Sequence, residues 1–396
     1  MNYILFDDNT WDNLLPLTFT RSVAKIRIGI LTISEKWERL FNIQVSYLTK
    51  DYLSKKFPTI ISKDNILINS SVIPDSSLVK EINKLNINEA LTYNNVLIAI
   101  RLGENISNFD YKKFDKSKSK EYTNEIFKID FLWDIFHRND KALQLDFEIL
   151  TKNRKSQAIS KTNNIISEEN IFIEEGAKLE FTTINASDGP VYIGRNAEIM
   201  EGAIIRGPFA MCEHSVLKMA AKIYGATTIG PYSKVGGEVN NSVFIGYSSK
   251  AHDGFLGNSV IGEWCNIGAD TNNSNLKNNY AEVKLWNYPE GRFVKSGLQF
   301  CGLIMGDHSK CGINTMFNTG TVVGVNANIF GEGFPRNFIP SFAWGGSAGF
   351  VEYSYNKAFD VAQIVMSRRN KEFDIVEQEI LKTVFDITAK NRSFKR

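Results

Sequence analysis

Residues 191–240 read VYIGRNAEIMEGAIIRGPFAMCEHSVLKMAAKIYGATTIGPYSKVGGEVN. Every sixth residue from Ile193 is apolar: Ile193, Ile199, Ile205, Met211, Leu217, Ile223, Ile229 and Val235. In a chain whose residues are 43% apolar, eight in succession is roughly a one-in-a-thousand event. Four residues after each stand Ala197, Ala203, Phe209, Ser215, Ala221, Thr227, Ser233 and Val239, most of them small. A period of six fits neither a helix nor a single strand. It fits the hexapeptide repeats of a parallel β-helix. One apolar side chain per hexad points inward, a small one fills the space beside it, and three hexads close a triangular coil. Coils then stack by backbone hydrogen bonds at about 4.8 Å. Gly follows the apolar residue at positions 194, 230, 236, 262, 268, 306, 312 and 324, where a tight corner is expected.

Outward from this tract the pattern returns at Met305, Cys311, Phe317, Val323 and Ile329, with Ser309, Thr315, Thr321, Ala327 and Gly333 at the matching small positions. Between the two tracts the register slips twice, from Val235 to Ile245 and from Ile245 to Phe255. A short tract of Phe255, Ile261 and Ile267 follows, and residues 272–303 carry no repeat. A solenoid must shed extra residues as loops. They fall in 240–304, and loops on a rigid scaffold are where sites are built.

Before the repeats, YILFD (3–7), VSYLT (45–49), NILIN (65–69) and NVLIAI (95–100) read as strands of an α/β domain. KKFDKSKSKE (112–121) reads as a solvated loop and the polar stretch 151–168 as a linker. After the repeats, apolar residues at three- and four-residue steps predict helix from about 355 to 390. The organisation expected is an α/β domain over 1–155, a β-helix over 165–345 and a helical segment over 355–396.

The net charge of +2 gives no global field for nucleic acid or anionic lipid. No run of 18 apolar residues spans a membrane, and the N-terminus has no signal-peptide pattern, so a cytoplasmic protein is expected. Cys212, Cys265, Cys301 and Cys311 form no CxxC pair or metal spacing and read as small buried residues of a reducing compartment.

The histidines are His137, His214, His252 and His308. A lone His is more often structural than catalytic. His252 lies in SSKAHDGFLGN (248–258), where the repeat opens, beside Lys250 and Asp253. A neutral imidazole there can take a proton from an amine nucleophile. Lys250 could hold a sugar phosphate as a point charge. Asn266 and Asn275 could hydrogen-bond sugar hydroxyls or an acyl carbonyl, and Asn equally suits β-helix corners because it tolerates left-handed backbone. A β-helix metalloenzyme would need three His ligands, two of them a few residues apart. His214, His252 and His308 are too evenly scattered for that, and the sequence identifies no metal ligand set.

The run 241–279, NSVFIGYSSKAHDGFLGNSVIGEWCNIGADTNNSNLKNN, resembles the acetyltransferase core of the bifunctional glucosamine-1-phosphate N-acetyltransferase and N-acetylglucosamine-1-phosphate uridylyltransferase family, GlmU. WDNLLPLTFTRS, IRIGILTISEKWE and TMFNTGTVVGVNANIFGEGF extend the likeness to a divergent bacterial branch of that family. The resemblance implies a left-handed β-helix joined to a Rossmann-like nucleotidyltransferase domain. It implies acetyl transfer from acetyl-CoA to glucosamine-1-phosphate, with nucleotidyl transfer giving UDP-N-acetylglucosamine, in a homotrimer. It places His252 as general base. Phe255, Asn266 and Asn275 fall at substrate-binding positions, and Lys250 and Lys277 beside them are further candidates to bind the substrate. Ala269, Asn314, Thr315 and Gly331 fall along the coenzyme groove. There are departures. The segment between Ala251 and Gly254 is one residue shorter, Asn241 replaces a substrate lysine, and Phe255 lacks a tyrosine hydroxyl.

In the N-terminal half Pro16-Leu17-Thr18 matches sugar nucleotidyltransferases and Trp133-Asp134 resembles their Trp-x-Asp region. The Gly-rich loop that cradles a triphosphate is missing. Arg21, Lys25 and Arg27 could supply charge for a nucleoside triphosphate and sugar phosphate. Asn69 stands where the Mg2+-binding Asp would be. The alternatives are nucleotidyl transfer alone, with the β-helix as a trimerisation scaffold, and a non-catalytic scaffold in which His252 has no role.

Overall fold

The computed structural model describes residues 1–104, 106 and 109–394, so the last two residues of the expected helical segment lie outside the described residues. Two compact units result: residues 1–14, 20–26 and 31–131, and residues 15–19, 27–30 and 132–396.

The first unit is built on a six-stranded sheet. Its strands run in the order Ser46–Leu48, Asn2–Phe6, Asn65–Asn69, Val96–Leu102, Ala90–Tyr93 and Ser119–Glu121. Asn2–Phe6 pairs in parallel with the strands on both sides, and Val96–Leu102 enters antiparallel. The helix Ile33–Phe41 begins at a capping box between Thr32 and Glu35, and buries Trp37 completely. The four expected strands are all present within two residues of their predicted ends. The stretch 112–121 is solvent-exposed as expected but is not all loop. It holds a short 3-10 turn and the edge strand Ser119–Glu121.

The second unit is a left-handed parallel β-helix. Its faces are a nine-stranded sheet, a ten-stranded sheet and a six-stranded sheet that Asn272–Asn273 and Met316–Phe317 prolong. The expected inward residues sit in register: Ile193 on Met211, Ile199 on Leu217, Ile205 on Ile223. Each is at most 2% exposed, and together they form one continuous apolar column. The winding begins at Asn164–Ile166, inside the stretch read as linker.

The glycines after the apolar residues have a different reason from the one expected. They are not left-handed. A Cβ at Gly230 would lie 2.2 Å from the Ile245 carbonyl oxygen of the next coil, so close stacking requires glycine there, whereas at Gly312 the nearest atom is 3.6 Å away and a Cβ would fit. The left-handed corners fall two residues later, at Asn196, His214, Tyr232 and Tyr247. Along that edge His214, Tyr232, Tyr247 and Trp264 stack face to face at 4.4–5.1 Å between centroids.

The two slips have a simple origin. Equivalent residues Ser233 and Ser248 are 15 apart, and Ser248 and Cys265 are 17 apart, against 18 for Ser309 and Ala327. The shortened coil brings Phe244, not Ile245, under Ile229, and Leu256, not Phe255, under Val239. Residues 274–302 leave the prism as a loop containing the hairpin Lys284–Asn287 and Arg292–Lys295. The C-terminal helix is two helices, Tyr355–Ser367 and Ile375–Ile387, the second capped by Asp374.

Candidate active site

The inward column Ile199, Leu217, Val235 meets Lys250 in the shortened coil and continues through Ile267, Cys311 and Ile329. The chain then turns a corner. In successive coils that corner carries His252, Ala269, Asn314 and Gly331. Asp270 N–H donates to Asp253 O at 3.0 Å, and Asn314 N–H to Ala269 O at 2.8 Å, so the corners stack directly. Four residues expected at the site therefore share one edge of the prism.

His252 and Asp253 are exposed at this corner. Among the described residues the His252 imidazole has no hydrogen-bond partner. Its turn is tightly held. Gly254 has φ +111°, and a Cβ there would meet Thr271 O at 2.1 Å. Phe255 N–H donates to Asn272 Oδ1 at 2.8 Å.

Phe255 and Asn275 come together over Gly257, where an added Cβ would lie 2.6 Å from the Phe255 ring and 2.7 Å from Asn275 Nδ2. Asn275 Nδ2 donates to Asn258 Oδ1 at 2.8 Å, and Asn273 brackets both backbone groups of Gly257. Asn258, Asn272 and Asn273 thus shape this corner without having been expected there. The run TNNSN (271–275) was the available signal. Asn266 is exposed on the adjoining face, paired with Ser249 and Lys310. Lys277 donates to Glu282 O at 2.8 Å within the long loop.

Two expected roles need correction here. Lys250 is only 1% exposed, and its ammonium donates inside the prism to Gly236 O at 3.0 Å and His252 O at 2.8 Å. Burial pulls its pKa down to about 8. It cannot offer a point charge to a sugar phosphate, because the inward register at this position faces the core. Thr315 is 3% exposed and its hydroxyl donates to Gly312 O at 2.9 Å. Its side chain fills the small position of its hexad rather than lining a groove. Ile313 and Phe330, which were not expected, do line the edge below His252, at 70% and 42% exposure.

The N-terminal charges also need correction. Arg21 is 3% exposed. Arg27 belongs to the second unit, where it donates to the carbonyls of Ile245 and Ile30 and contacts Cys212 Sγ at 3.7 Å. Lys25 lies over the Tyr47 ring. None of the three lines the cleft of about 290 Å³ at the carboxyl ends of Asn2–Phe6 and Ser46–Leu48, the place where open α/β sheets bind ligands. Asp7, Asp8, Asp12, Asp110, Thr49 and Lys50 do. Asp7 accepts from Ser22, Val23 and Thr49, yet its burial prevails and lifts its pKa to about 6. Asp8 accepts from Thr10 N and from Asn69 Nδ2. Asn69 thus holds Asp8.

Residues 3–155 match the family described as sugar nucleotidyl transferase. A bifunctional sugar-1-phosphate nucleotidylyltransferase/acetyltransferase of Sulfurisphaera tokodaii is 29% identical over 171 residues, 42% of this chain and 40% of that protein. A bifunctional protein GlmU of Methanocaldococcus jannaschii is 38% identical over 89 residues, 22% of this chain and 21% of that protein. The chain therefore spans well under two thirds of these relatives. Among solved structures, the polySia-specific acetyltransferase NeuO is 13% identical, with 48% of this chain and 82% of that one covered and a TM-score of 0.26. No described helix is long and apolar enough to cross a membrane.

Proposed function

We propose that the β-helix transfers an acetyl group from acetyl-CoA to the amine of an amino-sugar 1-phosphate, glucosamine-1-phosphate being the acceptor, and that the N-terminal domain carries nucleotidyl transfer toward UDP-N-acetylglucosamine. The chain acts in the cytoplasm as a homotrimer of a divergent GlmU-like branch. One observation carries the reading: an exposed imidazole, without a hydrogen-bond partner among the described residues, on a tightly held turn at the head of an edge carrying Ala269, Ile313, Asn314, Phe330 and Gly331.

That edge fits the coenzyme. Ile313 and Phe330 offer apolar surface to a pantetheine arm, and a Cβ at Gly331 would meet nothing within 4 Å, so the backbone is approachable. Acetyl-CoA supplies an electrophilic thioester carbonyl when bound. Neutral His252 accepts the proton that the acceptor amine loses as it attacks. Asn275 and Phe255 flank the acceptor side. Backbone N–H groups of the corner are the donors available to a developing oxyanion.

The match over residues 3–155 supports the nucleotidyl half of the reading. Mg2+ fits the cleft poorly, because the Asp7 and Asp8 carboxylates are spent on the chain's own donors and no group of three His, Cys, Asp or Glu suited to a metal occurs among the described residues. Purified protein incubated with acetyl-CoA and a panel of amino-sugar phosphates tests the reading by free-thiol release. Release with glucosamine-1-phosphate is expected, and no release with any member of the panel removes it.

A further inference from the structure

An ammonium at an inward position of an otherwise apolar column needs a reason. Burying a charge costs several kcal/mol unless it is well partnered. Lys250 sits in register below Val235, and its neighbours in the column are apolar. Packing alone would favour Leu or Ile there.

The reason lies in the shortened coil. At several corners, though not at Met200 or Gly312, the peptide three residues on closes the turn: Ala197 N–H donates to Gly194 O at 3.1 Å, Ala221 N–H to Lys218 O at 3.3 Å, Thr271 N–H to Gly268 O at 3.4 Å. At Gly236 that bond is absent among the described residues. The His252 carbonyl, one coil on, likewise accepts no backbone N–H among the described residues. Lys250 Nζ serves both carbonyls, at 3.0 Å to Gly236 O and 2.8 Å to His252 O. One side chain therefore ties two successive corners together from inside, and one of the two carbonyls it holds belongs to His252.

We propose that Lys250 is a positioning residue for His252: held from within the prism, the His252 peptide has one orientation, and the imidazole leaves the turn in one direction. This rests on the acyl-transfer reading for its catalytic consequence, but not for the brace itself. Among the described residues the His252 imidazole has no hydrogen-bond partner to orient it, so the backbone alone sets where its Cα–Cβ bond points.

The test uses the full chain with Lys250→Met, which keeps the volume and removes the donors, and Lys250→Gln, which restores an N–H donor on a shorter arm. Amide hydrogen exchange across 251–254 and steady-state kinetics are read together. In Lys250→Met, exchange at 251–254 is expected to quicken at least about tenfold while the coils of 191–230 are unchanged. The kcat is expected to fall about tenfold to a hundredfold, the scale of a roughly 1 Å misplacement, with KM for acetyl-CoA within about twofold. Lys250→Gln is expected to recover part of both losses, and it decides the matter if the Met variant does not fold. Unchanged exchange at 251–254 in a folded variant overturns the brace. Faster exchange with unchanged kcat overturns the positioning role. A wild-type protein inert toward every amino-sugar phosphate sinks the acyl-transfer reading alone, and the exchange result still decides the brace.

Discussion

The ammonium of Lys250 lies 2.8 Å from the carbonyl oxygen of His252 and is shut away from solvent, whereas His252 itself is exposed. The inside of the prism thus reaches the turn that carries the candidate base.

This burial has a pH signature. Burial holds the Lys250 pKa at about 8, below the roughly 10.4 of a lysine in an unfolded chain. The native state therefore binds fewer protons between these values, and stability rises with pH across that window. Below pH 8 the full penalty applies, on the order of 3 kcal/mol. Lys250→Met removes this term. Denaturant titrations at pH 7.5 and 10 are expected to show a smaller gain with pH in the variant than in the wild type, and equal gains would contradict the burial of a charged lysine.

Gly254 cannot be replaced cheaply. Its φ of +111° and the 2.1 Å approach to Thr271 O both reject a Cβ. Gly254→Ala is expected to cost about 2 kcal/mol or more, lowering Tm by roughly 4 °C or more. Calorimetry checks it.

Arg27 is expected to matter for stability rather than for nucleotide. It is 7% exposed and satisfies the carbonyls of Ile245 and Ile30. Arg27→Ala leaves these buried acceptors unpaired, at about 1–3 kcal/mol. Chemical denaturation should show that loss, with nucleotide affinity unchanged.

Ile313 is expected to behave in the opposite way. At 70% exposure it adds little to folding. Ile313→Asp is expected to raise KM for acetyl-CoA about tenfold, the equivalent of about 1.4 kcal/mol, while Tm stays put. An unchanged KM would take the coenzyme off this edge.

The prism was legible because its signal is local and repeated: an inward residue every six, whatever lies between. The shortened coil was legible only as a disturbance. Counting in sixes cannot tell whether Ile245 or Phe244 turns inward once residues are lost, and it hid Lys250, whose type argues for the surface. Its inward place follows from the ladder to Val235, a contact between coils. The same limit applies to Thr315, whose small size was read correctly and whose role was not. Ile313 and Phe330 were missed because an exposed apolar residue carries no period. In the N-terminal half, Arg27 looked like one of a basic group with Arg21, but tertiary contacts place it in the second unit.

The central claim is that His252, exposed on its braced turn, accepts the proton of an attacking amine. The most direct measurement is acetyl transfer from acetyl-CoA to glucosamine-1-phosphate by wild type and His252→Ala, with circular dichroism to confirm that both hold the same fold. The account predicts steady turnover in the wild type and a loss of at least about a hundredfold in kcat for the variant, the low end of what general-base catalysis contributes. A folded His252→Ala protein that turns over at the wild-type rate would contradict it.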